Sequence, residues 1–151
     1  MNLRNAAATL ALTLAFSAVG ATTARGQENV EERAVREVVS DFHAALGAGD
    51  STTVVSLLHP EVRIFEGGHA ETREEYRSGH LRGDIAFLQA VESEMTWDDV
   101  VIEGDLAFYM SEDRKTGTYR DREIDSHGTE TMVLVRTSEG WRIRHIHWSS
   151  R

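Results

Sequence analysis

The hydrophobic period of this chain changes once, and that change limits what it can become. Up to residue 88 apolar side chains recur at steps of three and four; from Val91 onward they alternate, in stretches joined by short turn signals. Helices first and a run of strands afterwards exclude the regular strand–helix alternation of a parallel α/β sheet. The order predicts an α+β domain with helices packed on one face of a curved, mainly antiparallel sheet.

The punctuation divides the chain. Residues 28–47 read as a first helix, with Val30, Ala34, Val38, Phe42 and Ala45 as a stripe and Val35, Val39 and Leu46 widening it. Gly47-Ala48-Gly49-Asp50 ends it. Asp50 or Ser51 then caps a short helix through Leu58, which His59-Pro60 stops, since a residue before Pro is pushed out of the α region. Residues 61–65 form a short strand, and Gly67-Gly68 a turn. Thr72-Arg73-Glu74-Glu75 is a capping box for a third helix, bent or broken by Gly79 and Gly83 before Asp84 restarts it. Strands are expected over 95–103, 106–118 and 129–137, with Leu106, Phe108 and Met110 on one face. Residues 120–125 read as a polar hairpin, and His127-Gly128 as a turn. Ser138-Glu139-Gly140 turns the chain into its last strand.

Residues 1–26 read as a secretory signal peptide. Arg4 precedes an apolar run, Ala6 to Val19, too short to span a bilayer, and small residues follow, with cleavage after Ala24 or Gly26. The expected mature domain is 27–151, exported to the periplasm or beyond the cell. Without Arg4 and Arg25 it keeps 14 basic residues against 25 acidic ones, a formal charge of −11. Such a field repels nucleic acid and anionic membrane surfaces. With no cysteine, neither a disulfide, a thiol nucleophile nor a thiolate metal site is available. There is no Gly-rich phosphate loop, no Gly-x-Ser-x-Gly elbow and no His-Glu-x-x-His helix.

The segment Asp41-Phe42-His43-Ala44-Ala45 with Asp50, then Leu57-Leu58-His59-Pro60-Glu61-Val62, then Glu139-Gly140-Trp141-Arg142-Ile143, resembles the SnoaL-like branch of the nuclear transport factor 2-like superfamily over residues 28–151. That resemblance implies a cone-shaped half-barrel, three N-terminal helices against a strongly bent sheet, a cavity in the cone, and homodimers through the open sheet face. It implies no single activity, because the superfamily holds isomerases, cyclases, dehydratases, hydrolases and non-catalytic binding domains.

Candidate chemistry gathers at the C-terminus. A regular strand from Gly140 puts Trp141, Ile143, His145 and His147 on one face and Arg142, Arg144, Ile146 and Trp148 on the other. His145 and His147 are then expected to look into the cone as acid/base or ligand contacts. Tyr76 and His80 lie one helical turn apart, and an inward Tyr76 would be a second acid/base group. Glu130 alternates with Met132 and Leu134, so it is a carboxylate on an apolar face and needs a partner. Trp141, Met132 and Tyr109 join His80 as expected ligand contacts. Only one of Asp98 and Asp99 can point inward. Trp148, grouped with two arginines, is expected at a subunit interface, and His43 at a helix–sheet seam. These groups suit a small organic ligand and, for an enzyme, proton transfer at a carbonyl or cyclic substrate. Two other readings stand beside it: zinc or copper(II) bound by His80, His145 and His147 with His69, and a dimeric interaction module.

Overall fold

The structure is a computed structural model that describes residues 29–151; the signal-peptide reading of 1–26 lies outside the described residues. Helix α1 (Val30–Ala48) starts where Asn29 accepts a hydrogen bond from the Glu31 N–H at 3.1 Å, and Glu31 and Glu32 complement the positive end of its dipole. It ends at Gly49, whose φ of 77° is the left-handed cap that glycine adopts without strain. Asp50 caps α2 (Ser51–Leu57), and Thr72 with Glu75 forms the expected capping box of α3 (Arg73–Ser78). The third helix does break: the backbone turns at Gly79 and resumes as α4 (Leu81–Leu88).

Six strands follow or interleave: β1 (Leu58–Glu66), β2 (His69–Thr72), β3 (Val91–Glu103), β4 (Leu106–Tyr119), β5 (Arg122–Thr137) and β6 (Gly140–Ser150), in the spatial order β2-β1-β6-β5-β4-β3. Every neighbouring pair is antiparallel except β1 with β6. Helices cover one face of this curved, open sheet. The core between them holds Val35, Val39, Phe42 and Leu46 of α1 against Ile64, Met132, Leu134, Ile143 and Ile146. The N-terminus of α1 is pinned where Glu31 accepts from Trp141 Nε1 at 3.2 Å and pairs with Arg136 at 2.9 Å.

Three details depart from the sequence reading. The β4–β5 turn is the pair Arg120-Asp121, both with positive φ (51° and 61°), the two-residue geometry whose twist matches a hairpin. Strand β5 therefore begins at Arg122, and His127-Gly128 is strand rather than turn. His59 belongs to β1, where its Nδ1 accepts from the Glu61 N–H at 3.1 Å.

The third departure is a register shift. Leu134 pairs with Ile143 and Val133 with His145, so Arg144 is one residue too many in β6. This bulge returns the apolar residues to one face: Trp141 and Ile143 before it, Ile146 and Trp148 after it. His145 and His147 therefore do not share a face with Trp141. They lie on the uncovered side of the sheet with Phe65, ring centroids 4.8 and 6.3 Å away, and His145 Nδ1 donates to the Arg63 carbonyl at 2.9 Å. Likewise Trp148 turns inward, away from the interface face. A second bulge, at Thr96 in β3, leaves Met95 and Asp98 on the concave side.

Candidate active site

The concave face of the sheet, α1 and α4 enclose a cavity of about 1070 Å³. Strand β4 sends Tyr109, Ser111, Asp113 and Lys115 into its wall, and β5 sends Ser126, Gly128 and Glu130. Helix α1 contributes Arg36, Val39 and His43, and α4 contributes Asp84, Phe87 and Leu88.

Glu130 is 5 % exposed. His43 Nε2 stands 3.1 Å from its carboxylate, and Trp148 Nε1 donates to Oε2 at 2.5 Å. Burial pushes the carboxyl upward, but the His43 charge, the hydrogen bonds from His43 and Trp148, and Lys115 together outweigh it. Glu130 is held below its ordinary value and stays ionised. An ionised carboxylate only accepts, so Nε2 of His43 carries a hydrogen toward it, and in the neutral form of the imidazole Nδ1 holds the lone pair. The His43 side chain is 40 % exposed and lines the cavity, so this imidazole is oriented from below and reachable from above.

A second polar pair lies across Trp148. The Tyr76 hydroxyl, fully buried, donates to Asp84 Oδ2 at 2.8 Å, and the Trp148 ring sits between Phe42 (6.3 Å) and Tyr76 (6.4 Å). Burial raises Asp84 above the usual carboxylate range, against the Tyr76 hydrogen bond and the His80 charge that lower it. Burial also raises Glu66 on the same wall, and Asp84 adds to it. At the other end Lys115 pairs with Asp113, and Arg36 of α1 pairs with Asp98, the inward one of the two aspartates. Tyr109, its hydroxyl raised by burial and by Glu130, donates to Met95 Sδ at 3.6 Å.

A family model described as the SnoaL-like domain matches residues 35–151. The chain is a SnoaL-like domain. A candidate ketosteroid isomerase from Shewanella frigidimarina is 37 % identical, with 77 % of this chain and 94 % of that one covered and a TM-score of 0.75. A candidate dehydratase of the NTF2-like family from Streptomyces avermitilis is 20 % identical over 78 % of this chain and 93 % of that one, TM-score 0.64. An NTF2-like protein with a cystatin-like fold from Novosphingobium aromaticivorans is 15 % identical over 78 % and 80 %, TM-score 0.63. Among curated proteins none matches. The last two likenesses establish the cystatin-like, NTF2-like fold.

Of the residues singled out in the sequence, the SnoaL-like cavity collects Glu130 and Tyr109 in its wall, with Met132 buried beneath and Tyr76 behind Asp84. His147 reaches the rim beside Gly67 and Gly68, while His145 stays on the opposite face. Trp141 is spent on anchoring α1. His80 is exposed and bonded to Glu71 at 2.6 Å, its ring 6.4 Å from that of His69. Two histidines at that corner and two on the uncovered sheet face do not converge. Among the described residues no three His, Asp or Glu side chains are placed to hold a metal ion, so the zinc or copper donor set does not fit this domain. His43, Asp84 and Trp148 are the cavity groups that the sequence reading left out. One signal was present for His43: it follows Val39 by four, on the buried side of α1.

Proposed function

We propose that this SnoaL-like domain binds a small organic carbonyl compound in its cavity and moves a proton on it, with His43 Nδ1 as the base. The observation carrying the reading is the buried Glu130 carboxylate, clamped by His43 and Trp148. A buried ion is costly unless it is paired, and here the pairing fixes one imidazole tautomer toward an open cavity. That arrangement suits general-base chemistry near neutral pH. Asp84, held by Tyr76, is the second proton-transfer group, placed to protonate or hydrogen-bond the substrate oxygen. The 37 % identical relative described as a ketosteroid isomerase supports a ketone as substrate class.

The test is hydrogen–deuterium exchange at the α-carbon of cyclohexanone and cyclohex-3-en-1-one in D2O, followed by proton NMR. Catalysed exchange that drops by about 10²- to 10⁴-fold in His43→Gln supports the reading. No acceleration by the wild type, or an unchanged rate in His43→Gln, overturns it.

Two further parts belong to the proposal. The chain is exported, as the signal-like residues 1–26 suggest. It also pairs with a second copy through the uncovered sheet face, where Phe65, Trp97, Val101, Leu106 and Phe108 are each more than a third exposed, a spread of apolar surface that water does not favour.

A further inference from the structure

Thirteen arginines lie beyond residue 26, and four of them surround one small pocket on a different side of the molecule from the cavity. The pocket has a volume of about 430 Å³ and is walled by Val55 of α2, Pro60, Glu61 and Arg63 of β1, Arg73 and Arg77 of α3, and Arg144 of β6. What holds each guanidinium matters more than their number. Arg73 donates through Nε and Nη2 to the single carbonyl of Val55, at 3.2 and 2.7 Å. Arg63 donates to the Val62 carbonyl at 3.0 Å. Arg144 donates to the Glu61 carbonyl, with the Glu61 carboxylate further off at 3.6 Å. Arg77 alone is closely matched, by both oxygens of Glu74 at 2.7 and 3.0 Å.

Neutral carbonyls orient a guanidinium without cancelling its charge. Among the described residues, Arg63 and Arg73 have no carboxylate at ion-pair distance. Four arginines against Glu61 and Glu74 leave the lining a formal +2, which Glu75, just outside it and within reach of the Arg63 charge, reduces without cancelling. At physiological salt the Debye length is about 8 Å, so this local surplus governs a small ion more than the acidic total does. The backbone adds a second sign of construction. Arg144 is the extra residue of the β6 bulge, and the β1–β6 register shifts between Leu58 and Arg63 at the same place. Bulges re-aim side chains, and this one sends Arg144 to the arginine group.

We propose that the Arg63–Arg73–Arg144 pocket is a binding site for an oxyanion, the phosphate or pyrophosphate group of a small molecule. Guanidinium forks match such groups through paired N–H donors. The site is independent of the cavity and of any chemistry there.

The experiment is calorimetric titration of the intact protein with inorganic phosphate and pyrophosphate at 150 mM NaCl, repeated on Arg63→Gln, Arg73→Gln and, as a control outside the pocket, Arg120→Gln. Binding of pyrophosphate tighter than about 1 mM, weakened at least tenfold by either pocket substitution and unchanged by the control, is expected. Circular dichroism melts show whether each variant is folded. For any variant that is not, Nε–H shifts of Arg63 and Arg73 in the wild type replace it, and both should move on titration. Affinity equal in pocket and control variants, arginine resonances that stay still, or no binding below about 10 mM overturns the site.

Discussion

Gly128 faces Asp113 across the β4–β5 ladder, and a Cβ on it would lie 2.6 Å from Asp113 Oδ1. That oxygen is buried with no hydrogen-bond partner, while Oδ2 takes the Lys115 ammonium. The missing side chain is what lets the carboxylate lie against the strand. Gly128→Ala should force Asp113 off Lys115 and destabilise the domain by about 1–3 kcal/mol, the usual range for overpacking. Urea unfolding at neutral pH checks it; a change within about 0.5 kcal/mol would show that the carboxylate is free to move.

Glu130 links the site to acid stability. Its folded pKa lies below the ordinary 4.5, so the ionised form stabilises the fold above that value, and the contribution disappears as pH falls through the folded pKa. The stability gap between wild type and Glu130→Gln should therefore be widest at pH 7 and close on acidification below the ordinary glutamate value, as pH falls through the folded pKa. Urea midpoints from pH 7 to 3 measure it. A gap that grows toward acid would mean burial, not His43 and Trp148, governs the carboxyl.

Tyr76 donates to the ionised form of Asp84, so Tyr76→Phe removes an influence that lowers the Asp84 pKa. Carboxyl carbon NMR should show Asp84 titrating above the ordinary aspartate range in the wild type and higher still in the variant. Movement in the opposite direction would mean that the hydroxyl does not act on this carboxylate.

The bulge at Arg144 is testable by length alone. Deleting Arg144 leaves Ile143, His145 and Ile146 in regular alternation, so Ile146 and Trp148 keep their inward face and their partners on β5. The deletion should therefore keep a cooperative melt, and Arg144→Ala should cost about 1 kcal/mol or less, whereas an alanine inserted between His145 and Ile146 turns Ile146 and Trp148 to the uncovered face and should abolish cooperative unfolding. A deletion variant that no longer melts cooperatively, or an insertion variant with a normal melt, contradicts the register.

The pairing proposed for the open sheet face predicts that Phe108→Glu, on the side away from the cavity, shifts the protein from dimer to monomer in sedimentation while leaving deuterium exchange unaffected. A wild type that is monomeric at about 100 μM rules that pairing out.

Local signals in the sequence were sufficient for much of the fold. Caps at Asp50 and Thr72, the stripe on α1, the break near Gly79 and the alternation that puts Glu130 among Met132 and Leu134 depend on neighbours within a few residues, where period and capping chemistry act. Only tertiary structure decided the register of β6, since an unpaired strand carries no record of where its ladder skips a residue. The spacing of Trp141, Ile143, Ile146 and Trp148, two then three then two, was the one trace of it. The same holds for His43 with Glu130, 87 residues apart, and for Gly128 with Asp113. Glu130 stands out alone as a carboxylate in need of a partner, but the sequence does not say which residue meets it, and the chemistry exists only where packing of a helix on a curved sheet brings the two together.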